Sequence, residues 1–564
     1  MGIEASKQAL TAAVGILLLG FGAVAAAPPV GPETSDPVVP SVFNGDLRDL
    51  PTAPPWRPGD PVHEVPRRHN PHPEKLHLDA IPLAPRSARI DPLLALQAGA
   101  RAGEPQPAFA TPILNFAGQT FGGATPPDTC GDVGKNYYIQ VVNASGGGKF
   151  TVYNKSSGSV AAGPLFIDQL GSGGACASGF GDGIVLYDSL ADRWLLSEFA
   201  GGGFHLCVYI SQTANPITGG WFRYDFTTPN FPDYPKYAVW PDAYYVSSNE
   251  FSPAAYALDR TKMLQGLPAT SQRFTAADLP HFGFQALIPS ALDGPLAPPA
   301  GAPNFFMRHR DDEAASPGSA DPDHDFLELW QYHVDWAVPA NSTFQGPINI
   351  PVTDFDSDLC GFFSFFCFPQ PSGPTLDPLR EVIMWRLQYR NFGPHETLVG
   401  NLVTDIDGTN HGGIRWFELR RSGGGAWTLF QEGTYAPDAH HRWMASLAID
   451  GAGNMAMGYS VSSTTLNPGI RYVGRLAGDP LGTMPQGEHT LIAGAGTSSS
   501  NRWGDYSSIN LDPVDNCTFW YTHETASGTW STQIGAFRFD ACKPAIVAGS
   551  GAGGPDKVRN LARP

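Results

Sequence analysis

Short runs of alternating apolar and polar residues, each ended by Asp, Asn, Pro or Gly, recur from about residue 113 to 540. Four stretches share one plan: GFGDGIVLYDSLADRWLLSEF (179–199), FPDYPKYAVWPDAYYVSSNEF (231–251), HHRWMASLAIDGAGNMAMGYS (440–460) and RWGDYSSINLDPVDNCTFWYTHE (502–524). Each has a polar lead containing Asp or Arg-Trp, an apolar run, a turn built around Asp, and a second run of aromatic and β-branched residues. DTCGDVGKNYYIQVVN (128–143) is a shorter version of the same start. A period of two inside each run predicts strand-turn-strand units. Only LDRTKMLQG (258–266) and the stretch near Leu94 read as short helices.

The spacing of these units narrows the fold. Asp132, Asp182 and Asp233 fall 50 and 51 residues apart, which suits the roughly 40 to 50 residues of a four-stranded propeller blade. Further starts at NFFMRHRDDE (304–313), EVIMWRLQYRNFGPHET (381–397), Arg442 and Asp505 bring the count to about seven. The expected fold is therefore all-β, a seven-bladed β-propeller over residues 113–542. A β-sandwich also has many short strands, but it does not require a regular repeat.

Composition agrees with this and adds a compartment. With 64 Gly, 53 Pro, 11% aromatic and only 16% charged residues, the chain is suited to turns and strands. A net charge of −18 opposes attraction to nucleic acid or anionic membranes. The apolar run Ala12–Ala27, ending in small residues before Pro28, reads as a signal peptide over residues 1–27, and it is shorter than the ~20 residues of a membrane span. The expected location is extracellular or periplasmic. Residues 28–112 are dominated by proline and read as a stalk or pro-segment, and 543–564 as a flexible tail. Seven cysteines in an oxidising compartment allow three disulfides. The expected pairs are Cys176–Cys207, Cys360–Cys367 and Cys517–Cys542, leaving Cys130 over.

In a propeller the polar leads of the innermost strands converge at one mouth of the central channel. This brings together residues distant in sequence. The candidate catalytic groups are Asp505, His441, His309 and Tyr506, since Asp, His and Tyr can move protons. The candidate substrate-binding groups are Arg308, Arg310, Arg442, Arg502 and Tyr389, with arginine supplying a fork for carboxylates. The same Asp and Arg residues also suit turns and inter-blade ties. Asp354, Asp356 and Asp358 in DFDSD alternate carboxylates on a turn, a pattern suited to calcium. His440 and His441 are adjacent, so in a strand they point to opposite faces. No Gly-x-Ser-x-Gly elbow, HExxH helix or phosphate loop occurs, which argues against serine hydrolase, zincin and nucleotide-driven chemistry.

The chain resembles a group of secreted bacterial propeller proteins. The resemblance is carried by PPDTCGDVGKNYYIQVVN, YDSLADRWLLSEF, FPDYPKYAVWPDAYYVSSNEF, GIRWFELR, HHRWMASLAIDGAGNMAMGYSVSS and RWGDYSSINLDPVDNCTFWYTHE. It covers about 113 to 540 and implies a fold, without an agreed activity. A wider similarity is to sialidase-like Asp-box propellers, because RRSGGGAWTLF and ETASGTWSTQ echo the Ser-x-x-Gly-x-x-Trp turn, without the box aspartate. A sialidase-type site implies a three-arginine clamp, for which Arg308, Arg442 and Arg502 are available, and a tyrosine nucleophile, for which Tyr506 or Tyr389 is available. The expected function is a secreted enzyme that cleaves an extracellular glycan or polysaccharide, as a hydrolase or a lyase. The rival is a non-catalytic carbohydrate- or cell-surface-binding adhesion propeller.

Overall fold

The computed structural model describes residues 31–65, 90–101, 112–279, 284, 286–315, 324–361 and 365–542. The expected signal peptide and tail lie outside the described residues. What is described is built almost wholly of strands. The helices Leu94–Arg101 and Arg260–Met263 fall where the sequence places them, and a further single turn occupies Asp312–Ala315.

The strands run as antiparallel meanders in chain order. Cys130–Val133 opens a four-stranded sheet that ends with Val160–Phe166. Gly179–Asp188 opens the next, and Asp233–Val239 the one after. An eight-stranded sheet follows, in which two four-stranded antiparallel units are joined by a parallel pairing of Ile288–Asp293 with Leu387–Asn391. His441–Ile449 and Ser508–Leu511 open the last two. The final sheet takes its fourth strand, Leu114–Thr120, from the beginning of the body, paired with Thr529–Phe537. The opening strands lie beside one another in sequence order, and Ser508–Leu511 returns to Cys130–Val133, so the sheets stand around an axis in a propeller-like ring.

This arrangement explains why the opening strands lack the alternation expected of half-exposed strands. Asp233–Val239 and Ser508–Leu511 are buried along their whole length, because each packs against strands of the neighbouring sheets as well as its own. Indoles fill the gaps: Trp194, Trp221, Trp240, Trp385, Trp416, Trp443 and Trp503 are fully buried. Apolar burial of this kind is the main favourable term holding such layers together.

Two sequence expectations are corrected here. First, the proline-rich segment is no free stalk over its described part. Glu33–Thr34 pairs with Ser271–Thr275, Ser41–Phe43 with Trp221–Thr227, and His63–Glu64 with Ala124–Thr125. Asp91 is buried against the Arg415 guanidinium at 2.8 Å. The prolines Pro32, Pro40 and Pro61 fall just outside these short edge strands, where no ladder donor is needed. Second, the run containing Arg308 to Arg310 does not open a sheet. It is the second strand, Asn304–Arg310, following Ile288–Asp293.

All three expected disulfides form, with Cα separations of 5.6 Å for Cys176–Cys207, 5.3 Å for Cys360–Cys367 and 5.6 Å for Cys517–Cys542. Cys130 remains a free thiol. It is 0% exposed, its sulfur accepts the Val185 N–H at 3.5 Å, and burial pushes it up to about 12. A thiol there is inert, because the thiolate is the reactive form. An Ellman titration should accordingly find no reactive thiol in the native protein and one per chain in denaturant. Reaction in the native state would place Cys130 at the surface. Among the described residues no helix is long and apolar enough to cross a membrane.

Candidate functional site

Four of the opening strands carry a non-glycine residue in the left-handed region at or near their start: Asp128 (φ 44°), Asp182 (φ 52°), Tyr234 (φ 52°) and Met444 (φ 48°). Such backbone costs about 1–3 kcal/mol per residue and persists only where the surroundings enforce it. Here the side chains of Asp128, Asp182 and Tyr234 meet at one end of the axis. With Val65, Asp233, Phe284, Arg502 and Asp505 they enclose a chamber of about 10 Å³, room for roughly one water. Asp128 and Asp182 are thus the matching positions of the first two sheets. Asp132, chosen from the regular spacing, sits near the other end of its strand and accepts the Tyr187 N–H at 2.8 Å, tying one sheet to the next.

Hydrogen bonds lock the chamber wall. Asp128 accepts the Asp505 N–H and the Asn143 side-chain amide, both at 2.7 Å. Asn143 in turn accepts the Asp182 N–H at 2.9 Å, and the Tyr506 hydroxyl donates to Asp182 at 2.8 Å. The Lys236 ammonium lies 3.1 Å from the ring centroids of both Tyr234 and Tyr506. Burial raises the Asp128 carboxyl well above its usual range, helped by the nearby charges of Asp505 and Asp182. Burial also raises Asp182, against the pull of Lys236, and brings Lys236 down to about 7 against the pull of Asp182. Arg502 donates to Asp505 at 3.0 Å and to the Val65 carbonyl at 2.8 Å. The Arg502–Tyr506 motif is therefore the wall of this chamber before it is anything else.

On the other side of Arg502 lies a larger cleft of about 500 Å³. Three aromatic residues run along it: Trp56 meets Phe121 edge to face at 4.9 Å, and Phe121 meets Trp530 at 5.4 Å. The Trp530 indole is fixed by a 2.7 Å hydrogen bond to the Ala124 carbonyl. Ser498, Ser499, Ser500, Asn501 and Thr529 supply polar groups to its lining. Among the described residues its only ionisable groups are Arg502 and Glu524. Glu524, in the strand Phe519–Ser527, is 1% exposed and accepts the Gly504 N–H at 2.7 Å. Burial raises its carboxyl well above the usual range, and the Asp505 charge adds to this.

Neither Glu524, Trp530 nor Trp56 stood out in the sequence. Glu524 had a signal, a carboxylate inside the aromatic run FWYTHETAS, where an ionisable group is costly unless it has a task or a partner. Trp530 was legible only as part of a turn, and Trp56 lay in a segment set aside as stalk.

The other expected site residues are not brought to this place. Arg308 faces Glu328 across the strand pair at 2.7 Å and donates to the Ala277 carbonyl. Arg310 pairs with Glu328 at 3.1 Å and Asp312 at 3.3 Å. His309 is buried, with Nε2 3.1 Å from the Arg380 carbonyl, and burial brings it down to about 4. Tyr389, in the middle of the strand Leu387–Asn391, donates to Glu396 at 2.6 Å between the rings of Trp240 and Trp427. His441 packs on Phe368 and His411, and burial followed by the His411 charge brings it down to about 4. Arg442 is enclosed by Glu488 and Asp438.

The DFDSD carboxylates are not gathered either. The Asp358 N–H turns back to Asp356 at 2.8 Å, while the N–H groups of Phe355 and Ser357 cap Asp325 and Asp311. Among the described residues the carboxylates close enough to share a cation are Asp311, Glu313 and Asp325, whose oxygens lie within 4.8 Å of one another. Burial first, and the Asp311 charge next, push the Asp325 carboxyl above its usual range.

No protein-family model matches the chain, and no curated protein does. Solved structures give distant likenesses. The Dos1 propeller is 10% identical over 76% of this chain and 95% of its own, with a TM-score of 0.34. A polysaccharide lyase, PL25 ulvan lyase, is 12% identical over 77% and 96%, with a TM-score of 0.33. The α-L-arabinofuranosidase Arb93A from Fusarium graminearum, in complex with an iminosugar inhibitor, is 9% identical over 61% and 89%, with a TM-score of 0.26. Likeness of this degree bears on neither substrate nor reaction.

Proposed function

We propose that the chain is a secreted, seven-bladed propeller that takes an extracellular glycan into the cleft beside Arg502 and cleaves it, as a hydrolase or a lyase. The carrying observation is the cleft's lining: three aromatic residues in a row, a rim of hydroxyl and amide groups, and one arginine and one carboxylic acid at the inner wall. Sugars offer C–H faces to aromatic rings and hydroxyls to polar side chains, and mostly apolar pockets with a few placed polar groups are the usual form of a small-molecule site. Export agrees with three disulfides, which persist in oxidising compartments.

Binding without cleavage, as in an adhesion propeller, is the second reading. It is favoured by the ion pairs that occupy Arg308, Arg310 and Arg442. One experiment separates the two. Purified protein is titrated with arabinan, galactan, xylan, alginate and polygalacturonate while tryptophan fluorescence, reducing ends and unsaturated-uronate absorbance are followed. Quenching with new reducing ends supports a hydrolase, added uronate absorbance a lyase, and quenching alone the adhesion reading. Trp56→Ala should weaken the responding polymer roughly tenfold, about 1.4 kcal/mol, with Trp56→Phe retaining most of the affinity. Silence across the panel with folded protein would remove the glycan reading.

A further inference from the structure

We propose that Glu524 is the proton donor of this cleft, the carboxylic acid that protonates the glycosidic oxygen of the bound glycan. The inference rests on the reading of the cleft as a glycan site and assigns its chemistry. Four observations meet at this residue. Glu524 lines the same cleft as Trp56, Phe121 and Trp530. It is buried, yet among the described residues no lysine, arginine or histidine pairs with it. Arg502, the arginine of the cleft, is directed to Asp505 and to the Val65 carbonyl. Its one strong contact is the Gly504 N–H, and a side chain at position 504 would stand 2.7 Å from Glu524 Oε2.

The two neighbouring carboxylates are therefore treated oppositely. Asp505 has an arginine partner and Glu524 has none, and burial without a counter-charge favours the protonated form. In the step, the Glu524 O–H proton moves to the glycosidic oxygen as its bond to the anomeric carbon breaks, and one sugar leaves as an alcohol. Water then adds to the anomeric carbon and returns its second proton to the Glu524 carboxylate. The sum is one glycosidic bond and one water consumed and two hydroxyl ends formed, with no oxidant or metal required.

The test compares wild type with Glu524→Gln, which keeps a carbonyl acceptor for the Gly504 N–H but carries no acidic proton. On the polysaccharide of the panel that quenches fluorescence, the variant should bind within about twofold of wild type. Its kcat should fall by roughly 100-fold or more, in line with the usual worth of general acid catalysis. Wild-type kcat should decline on the alkaline side as Glu524 loses its proton, and the variant should lack that limb. A dinitrophenyl glycoside of the same sugar, whose leaving group needs no proton, should be cleaved by the two proteins at rates within about fivefold. Binding with no cleavage by wild type, or full cleavage by Glu524→Gln, overturns the inference and leaves the glycan site standing. Failure of wild type to bind any polymer overturns the site itself.

Discussion

Arg442→Ala should destabilise the protein by about 3–5 kcal/mol, the range typical of breaking a buried ion pair from one side. The guanidinium is 0% exposed and donates to Glu488 at 2.8 and 3.2 Å and to Asp438 at 2.8 and 3.0 Å. Removing it leaves Glu488 in a mostly buried position with only Arg471 and the Tyr459 hydroxyl. Burial alone would raise the Glu488 carboxyl, and the hydrogen bonds and charge of Arg442 override it, holding the group below its usual value of 4.5. The sign of the pH dependence follows. A carboxyl lowered in the folded state contributes stability above its unfolded pKa, and that contribution fades as pH falls through the folded value. The gap between Arg442→Ala and wild type in urea unfolding should thus be widest near neutrality and shrink below about pH 4.5. Binding by the folded variant should be unchanged, since Arg442 does not line the cleft. Wild-type stability combined with lost binding would restore Arg442 to a substrate clamp.

The second large effect concerns the covalent ties. Opening Cys176–Cys207 by a double serine substitution should cost roughly 3–4 kcal/mol, against roughly 2 for Cys360–Cys367, because loop-closure entropy grows with the length enclosed. The spans are 31 and 7 residues. The native geometry around Cys176 is held by other means as well: its carbonyl accepts from Arg223 at 3.1 Å, and Asp225 accepts the Ala175 N–H at 3.1 Å. The loss should therefore fall mainly on the unfolded chain. Urea midpoints of the two double variants test the ranking, and the reverse order would point to native-state contacts as the source.

Much of the scaffold was readable because it depends on local chemistry. Strand runs, Asp turns and the short helix at Arg260 are encoded within a few residues of where they occur. The three disulfides were legible from a pair bracketing the strands around Tyr187, a pair flanking the GFFSFF loop and a pair tying the last strands. The candidate site was less readable, because its partners are set by register across long separations. Arg308 faces Glu328, 20 residues on, and although Asp438 stands four residues before Arg442, its second acid, Glu488, lies 46 residues away, with nothing beside either arginine to mark the distant partner. An exposed lead and a buried ion pair share one sequence signature until the pairing is known. The Arg502–Tyr506 stretch came out at the axis because it opens its sheet, whereas the Arg308 run occupies a second strand and turns elsewhere. Trp56 shows a different limit: proline-rich composition reports that a segment cannot fold alone, not that it has nothing to fold against.

The last sheet borrows Leu114–Thr120 from the start of the body and pairs it with Thr529–Phe537, more than 400 residues later. Neither half of that sheet can finish early. A chain emerging from its N-terminus carries an unmatched strand for nearly the whole of its length, and the circle closes only when the other end arrives. Contacts this distant make for slow folding, so assembly belongs to the period after the entire chain is available. A deletion that removes Thr529–Phe537 would do more than shorten the molecule, since it would expose two sheet edges at opposite ends of the sequence, the kind of surface that recruits other chains.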